Sequence, residues 1–369
     1  MVRSTDVFVI GGGPAGLAMA IAARQRGLTA IVADGMLPPI DKACGEGLMP
    51  DGLDSLDRLG LQLPLDKSCP FRGIRFVSRE LSTDAPFPVG TYGLGARRTV
   101  LHRVMVERAE QVGAVLLWGT TVRGITGEGV HLGETIVRAR WIVGADGSQS
   151  RVRRWAGLEA SYRPRLRYAF RKHCRMAPWT DHMEVHWGER CQGYATPVGN
   201  DQVCVAIASH DPKLRLDDAL KDLPRLSAQL QQAQVVPSER GAITGNQRLK
   251  QVWRGNIALI GDASGTVDAI TGEGIGLAFS QAVTLAECIA AGDLTPYQEI
   301  HDRITLRPRL MARLVLMLDG RPRLQHRVFR VFKSRPELFR RLLALHLGTL
   351  PPQQLVWDGL TLGWGLITA

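Results

Sequence analysis

Gly11, Gly13 and Gly16 form a G-x-G-x-x-G turn whose backbone N–H groups can hold a pyrophosphate. Residues 6–10 before it are apolar and read as a strand, and residues 17–20 after it start a helix. Gly11 permits the tight turn, Gly13 lets backbone approach phosphate, and Gly16 lets helix and strand pack closely. Pro14 and Ala15 complete the turn. A second apolar run at 30–33 ends in Asp34, whose carboxylate can accept hydrogen bonds from ribose hydroxyls and disfavours a 2′-phosphate. With strand, helix and acid in place, these residues predict a dinucleotide site.

Two later segments deliver carboxylates in the same manner. The run 141–145 ends at Asp146-Gly147, and the run 256–260 ends at Gly261-Asp262. Either aspartate alone also suits a helix cap. A glycine-rich turn containing Gly272, Gly274 and Ile275 then opens a helix over 274–291, where free N–H groups can support negative charge on a bound ring or phosphate. Cys44, in the loop 42–50, is the one thiol in a chemically placed segment. His102 and His173 have no partner readable from the sequence, and Lys42 and Glu46, which flank the same loop, are each compatible with a solvated charge.

The predicted elements form an α/β chain. A Rossmann-type parallel sheet, discontinuous in sequence, draws on 1–70, 97–160 and 245–295. A mainly antiparallel sheet for the substrate draws on 71–96 and 161–244, with strands at 168–175, 183–187, 193–197 and 203–209. A helix is expected over 98–112, and a helical region, 296–369, is punctuated by prolines including Pro308.

Composition narrows the classes. Hydrophobic content of 45% and charged content of 22% are ordinary for a globular protein. No apolar run of membrane-spanning length is read, and the first strand begins too early for a cleaved leader. Six cysteines without metal spacing predict reduced thiols, no metal and a cytoplasmic location. Most of the net charge of +11 lies after residue 300, where 12 Lys and Arg face four acids. No nucleic-acid signature accompanies it. Leu310, Leu314 and Leu318, and then Val328, Phe329, Val331 and Phe332, alternate with arginines. They predict either peripheral contact with an anionic membrane or a helical cap with a basic outer face.

Together the three motifs resemble the flavoprotein superfamily typified by p-hydroxybenzoate hydroxylase. The resemblance covers about residues 1–295 and implies FAD, with its pyrophosphate at Gly11 to Gly16 and adenosine ribose at Asp34. It further implies Asp262 beside the ribityl chain and the Gly274 and Ile275 amides at the flavin edge. Arg98, opening R-x-x-L, matches the superfamily's arginine near the cofactor. The segment Lys42-Ala43-Cys44-Gly45-Glu46-Gly47 is similar to the K-x-C-G-[DE]-G loop of the geranylgeranyl reductase branch. That places Lys42 near the cofactor and Cys44 near the flavin, as the candidate catalytic thiol or as a small side chain packed on the ring.

The implied activity is oxidation–reduction of a hydrophobic small molecule. No second glycine fingerprint marks a nicotinamide domain, so NAD(P)H is expected to dock transiently. Residues 193–197 lack the reductase branch's Y-x-W-x-F-P strand, which favours monooxygenation through a C4a-hydroperoxide. Reduction of isoprenoid double bonds and a non-catalytic, electron-transfer role are the alternatives.

Overall fold

The first strand, Ser4–Ile10, is apolar on both faces because it becomes the centre of a parallel sheet covered by helices. In a computed structural model describing residues 4–159, 166–236, 238–351, 353 and 358–359, it pairs with Ala30–Asp34 on one side and Thr135–Gly144 on the other. Val115–Trp118 and Ile257–Leu259 extend the sheet in parallel, and Trp253–Arg254 closes one edge antiparallel. Ile10, Asp34 and Gly144 therefore finish at one edge, where the chain must turn.

Gly11 makes the first of these turns at φ +113°, and Pro14 sits at the start of the helix Pro14–Gln25, where its missing N–H is harmless. The helix Gly274–Ala291 packs on Pro14–Gln25 and on Pro50–Arg58. Its composition and length would also let it cross a membrane, but it is a core helix, with Phe279, Ala282, Leu285 and Ala286 fully buried.

A second sheet runs Gln234–Val235, Arg167–Arg175, Gln202–Ser209, Cys191–Gly199, Met183–Trp187, Gly73–Val77 and Ser82–Pro86. All its pairings are antiparallel except Met183–Trp187 with Gly73–Val77. The strand expected over 193–197 is longer, because the Cys191–Gly199 segment pairs along most of Gln202–Ser209. The expected boundary at 160/161, Pro352 and the tail 360–369 lie outside the described residues.

The C-terminal region contains the helices Tyr297–Leu316, Pro322–Ser334 and Pro336–His346. Pro308 does not punctuate it as expected: it sits inside the first helix, buried. Phe329, Phe332 and Phe339 pack with Phe76 and Trp187 of the second sheet, with Phe332 and Phe339 stacked at 4.7 Å. The apolar side of Pro322–Ser334 is thus the sheet's cap, and its arginines face outward.

Candidate flavin and substrate site

A cavity of about 500 Å³ runs from the carboxyl edge of the parallel sheet to the inner face of the second sheet. Gly11, Gly13, Pro14, Ala15 and Asp34 line one end. Lys42, Cys44, Arg98, Asp146 and Asp262 line its walls, and Gly272, Gly274 and Ile275 meet it at a helix start. Sequence positions spread over 264 residues, from Gly11 to Ile275, are therefore brought to one place.

Gly16 is the exception. It does not line the cavity but stands behind it, where a Cβ would lie 1.8 Å from the Gly11 carbonyl oxygen. Its role is close packing. By contrast a Cβ on Gly13 would meet only an Arg98 nitrogen, at 3.9 Å, and one on Gly274 would meet nothing within 4 Å. Open space thus lies over both turns that offer N–H groups.

Asp34 is anchored by two backbone donors: Gly12 N–H at 2.7 Å and Met36 N–H at 2.8 Å. Each carboxylate oxygen keeps a lone pair for a ligand hydroxyl. Asp262 projects into the cavity, and the enclosing walls raise its carboxyl pKa, opposed by the charges of Arg98, Lys42 and Arg153. The Arg98 Nε is buried without a partner, beside the glycine turn.

Asp146 lines the cavity and is also tied to its own chain. Its carboxylate accepts from Ser150 Oγ at 2.5 Å, Arg151 N–H at 2.7 Å and Val152 N–H at 3.2 Å. It thus accepts the first two N–H groups of the helix Arg151–Trp155, whose N-cap is Ser150.

Several residues that the sequence left without a role hold these groups in place. His102 Nε2 bonds the Gly12 carbonyl at 2.9 Å, and burial lowers its pKa, so a neutral ring with Nε2–H as donor braces the glycine turn. Replacing His102 with alanine removes that brace from a buried carbonyl, at about 1–2 kcal/mol. FAD is expected to bind roughly tenfold more weakly; titration of the apoprotein by flavin fluorescence measures it.

The Gly261-Asp262 turn is braced in the same way. Gln281 Oε1 accepts from Gly261 N–H at 2.7 Å. Ser264 Oγ donates to Gly261 O at 2.8 Å and is bonded by His301 Nε2 at 2.9 Å. Burial, aided by Arg309, lowers the His301 pKa to about 4. Because the folded value lies below the unfolded value near 6.5, the stabilisation is full above pH 6.5 and is lost as pH falls towards 4. One such group accounts for about 3 kcal/mol. Urea midpoints measured from pH 7 to 4 are expected to fall less steeply in His301→Gln than in the parent chain.

The loop 42–50 is fixed by Glu46, which is buried and adopts φ +58°. Its Oε1 accepts from Arg98 N–H at 2.9 Å, and its Oε2 from His173 Nε2–H at 2.7 Å. Arg171 donates to His173 Nδ1 at 3.0 Å and to Asp41. Glu46 is therefore a strut between the helix that carries Arg98 and the second sheet, not a solvated charge. Cys44 accepts the Glu46 N–H at 3.3 Å, which aims its loop along the cavity wall.

Glu46, His173 and Cys204 place three ligand-type atoms within 4.8 Å of one another. Glu46 and His173 are already bonded to each other, however, and burial keeps the Cys204 thiol protonated well above its ordinary range. All six cysteines are free thiols.

The sequence pattern of the FAD binding domain family matches residues 4–295. The chain belongs to that family. Across 324 residues it is 30% identical to a menaquinone reductase of Mycolicibacterium smegmatis, covering 80% of this chain and 79% of that protein. It is 29% identical to a digeranylgeranylglycerophospholipid reductase of Methanothermobacter thermautotrophicus, covering 80% of each. Two solved structures share the fold. A geranylgeranyl bacteriochlorophyll reductase-like protein from Thermoplasma acidophilum gives a TM-score of 0.72 at 22% identity, over 87% of this chain and 89% of that one. A probable FAD-dependent monooxygenase from Pseudomonas aeruginosa gives 0.69 at 18%, over 93% and 99%.

FAD fits the cavity on the structure's own terms: open space over two N–H turns, an orphaned arginine nitrogen beside one of them, and an anchored acid at the adenosine end. The chain is an FAD-dependent oxidoreductase.

Proposed function

We propose that this flavoprotein reduces a carbon–carbon double bond in an isoprenoid-bearing lipid, with NAD(P)H docking transiently as reductant. The observation that carries the proposal is the similarity, over four-fifths of both chains, to proteins named as reductases of menaquinone and of digeranylgeranylglycerophospholipid. Both of those molecules bear isoprenoid chains. The cavity agrees with such a substrate. Its lining includes the apolar side chains of Phe170, Met183, Ala206 and Ala208 on the second sheet, together with Ile40.

When bound, FAD supplies the two-electron redox chemistry. The chain's own residues do the rest. The backbone N–H groups of Gly13 and Ala15 and the Arg98 guanidinium would hold the pyrophosphate, and Asp34 would take the ribose. The start of the Gly274–Ala291 helix would offer its N–H groups and positive dipole end to negative charge on a bound ring. The apolar wall orients an alkene chain and excludes water.

Monooxygenation is the second reading, favoured by the absence of the Y-x-W-x-F-P pattern at residues 193–197 and by the fold shared with a protein named as a probable FAD-dependent monooxygenase. Oxygen dependence separates the two. Under the proposal, the chemically reduced holoenzyme, in strict anaerobiosis, adds two hydrogens to the isoprenoid side chain of a menaquinone, over and above any reduction of the quinone ring. If reoxidation with product formation requires oxygen, the proposal fails.

A further inference from the structure

We propose that the outer face of the helix Tyr297–Leu316 is a docking surface for an anionic lipid bilayer. Leu306, Leu310, Leu314 and Met317 are 59%, 38%, 40% and 47% exposed. Their spacing of four, four and three residues places them in one stripe along the helix and its last turn. Scattered exposed leucines need no explanation, but a contiguous apolar row on a single chain marks a contact surface.

Charge selects the partner. From Arg303 to Arg335 the sequence has Asp319 as its single acid, among ten arginines and lysines. Asp319 is turned inward, bonded to Gln192 and His210. On the helix Arg313 flanks the leucine row, while Arg303 is paired with the exposed Glu299 at 2.7 Å; Arg321, Arg323, Arg327 and Arg330 continue the exposed basic face onto the next turn and helix. An apolar stripe bordered by arginines matches a bilayer, with leucines entering the acyl boundary and arginines meeting lipid phosphates. An acidic protein would match the arginines but not the leucine row.

The opposite face of this helix is the packed one. Thr305, Pro308, Met311 and Ala312 are buried, and the helix rests on the Ala269–Thr271 turn, part of which lines the cavity. The docking face therefore lies on the outside of the same wall that encloses the substrate site. The stripe is not the one at Val328 to Phe332, which is covered by the second sheet.

Vesicle co-sedimentation of the FAD-loaded protein tests this surface. Binding to vesicles containing phosphatidylglycerol is expected at low salt, with weak binding to pure phosphatidylcholine and release as salt approaches about 1 M. The triple variant Leu306→Gln, Leu310→Gln, Leu314→Gln is expected to partition about tenfold less or weaker still. Its flavin content should be unchanged, because none of the three residues lines the cavity. The inference is overturned if the parent protein stays in the supernatant with phosphatidylglycerol at low salt, or if the triple variant sediments as the parent does. It is equally overturned if analytical ultracentrifugation shows a dimer that the triple variant dissociates while vesicle binding is unaltered, since the stripe then joins two copies of the chain.

Discussion

Gly11→Ala is expected to give a protein that retains no FAD on purification, with affinity lowered at least about a hundredfold. Two independent obstacles act at this position. The backbone at φ +113° lies in a region that L side chains rarely adopt, at about 1–3 kcal/mol. The added Cβ would also lie 2.4 Å from the Ala145 carbonyl oxygen and 2.6 Å from its carbon. Those atoms belong to the backbone that follows the neighbouring strand, whose Ala145 N–H is bonded to Ile10 O at 2.8 Å, so they cannot swing aside as a side chain would. Relief requires the turn itself to move, and with it the N–H groups that face the cavity. The ratio of flavin absorbance to protein measures the loss. Gly127→Ala is the matched control: its Cβ would meet nothing within 4 Å, and full flavin retention is expected.

The second large effect is at Glu46. Glu46→Gln preserves shape and still offers an oxygen to Arg98 N–H, but its amide then presents N–H₂ to His173 Nε2–H. Reversing the imidazole tautomer answers that clash only by turning an Nδ1–H against the Arg171 guanidinium. No arrangement satisfies all three, so the variant leaves a buried polar group unpaired and removes the carboxylate that faces Arg171 at 3.6 Å. Losing one partner from a buried charged network costs about 3–5 kcal/mol. The thermal midpoint is expected to drop by several degrees. Cavity geometry should suffer with it, because Glu46 ties the Arg98 helix to the second sheet. A double variant, Glu46→Gln with His173→Gln, restores complementary donors and acceptors and is expected to recover part of the midpoint. Equal midpoints for the parent and Glu46→Gln would contradict the strut.

The dinucleotide end of the site was legible because its chemistry is local. Gly11, Gly13 and Asp34 belong to one strand–turn–helix–strand unit whose spacing is fixed by geometry, and each lies where that spacing puts it. Gly16 was legible as a packing residue but not as a wall of the cavity. Asp146 shows the limit of a motif: a strand ending in Asp-Gly suits a ligand or a helix start equally well, and the bonds from Ser150 and Arg151, which the motif does not specify, tie the carboxylate to its own chain while it lines the cavity. His102 and His173 looked unpartnered because their partners lie 90 and 127 residues away in sequence, at Gly12 and Glu46. Glu46 itself looked solvated, since nothing in its neighbours reveals that the chain closes over it from the second sheet. In the C-terminal region the amphipathic pattern was visible, but periodicity cannot say which apolar face is covered. The structure covers Val328, Phe329, Val331 and Phe332, buries Leu318 against expectation, and leaves Leu310 and Leu314 open together with Leu306.

The mass of the organic product tests the central claim most directly. The FAD-loaded protein, NADPH and a menaquinone are incubated and the lipid is analysed by mass spectrometry. Reduction of an isoprenoid double bond predicts a gain of two hydrogens in the side chain, formed equally well without oxygen. A gain of one oxygen atom, absent under anaerobic conditions, would contradict it.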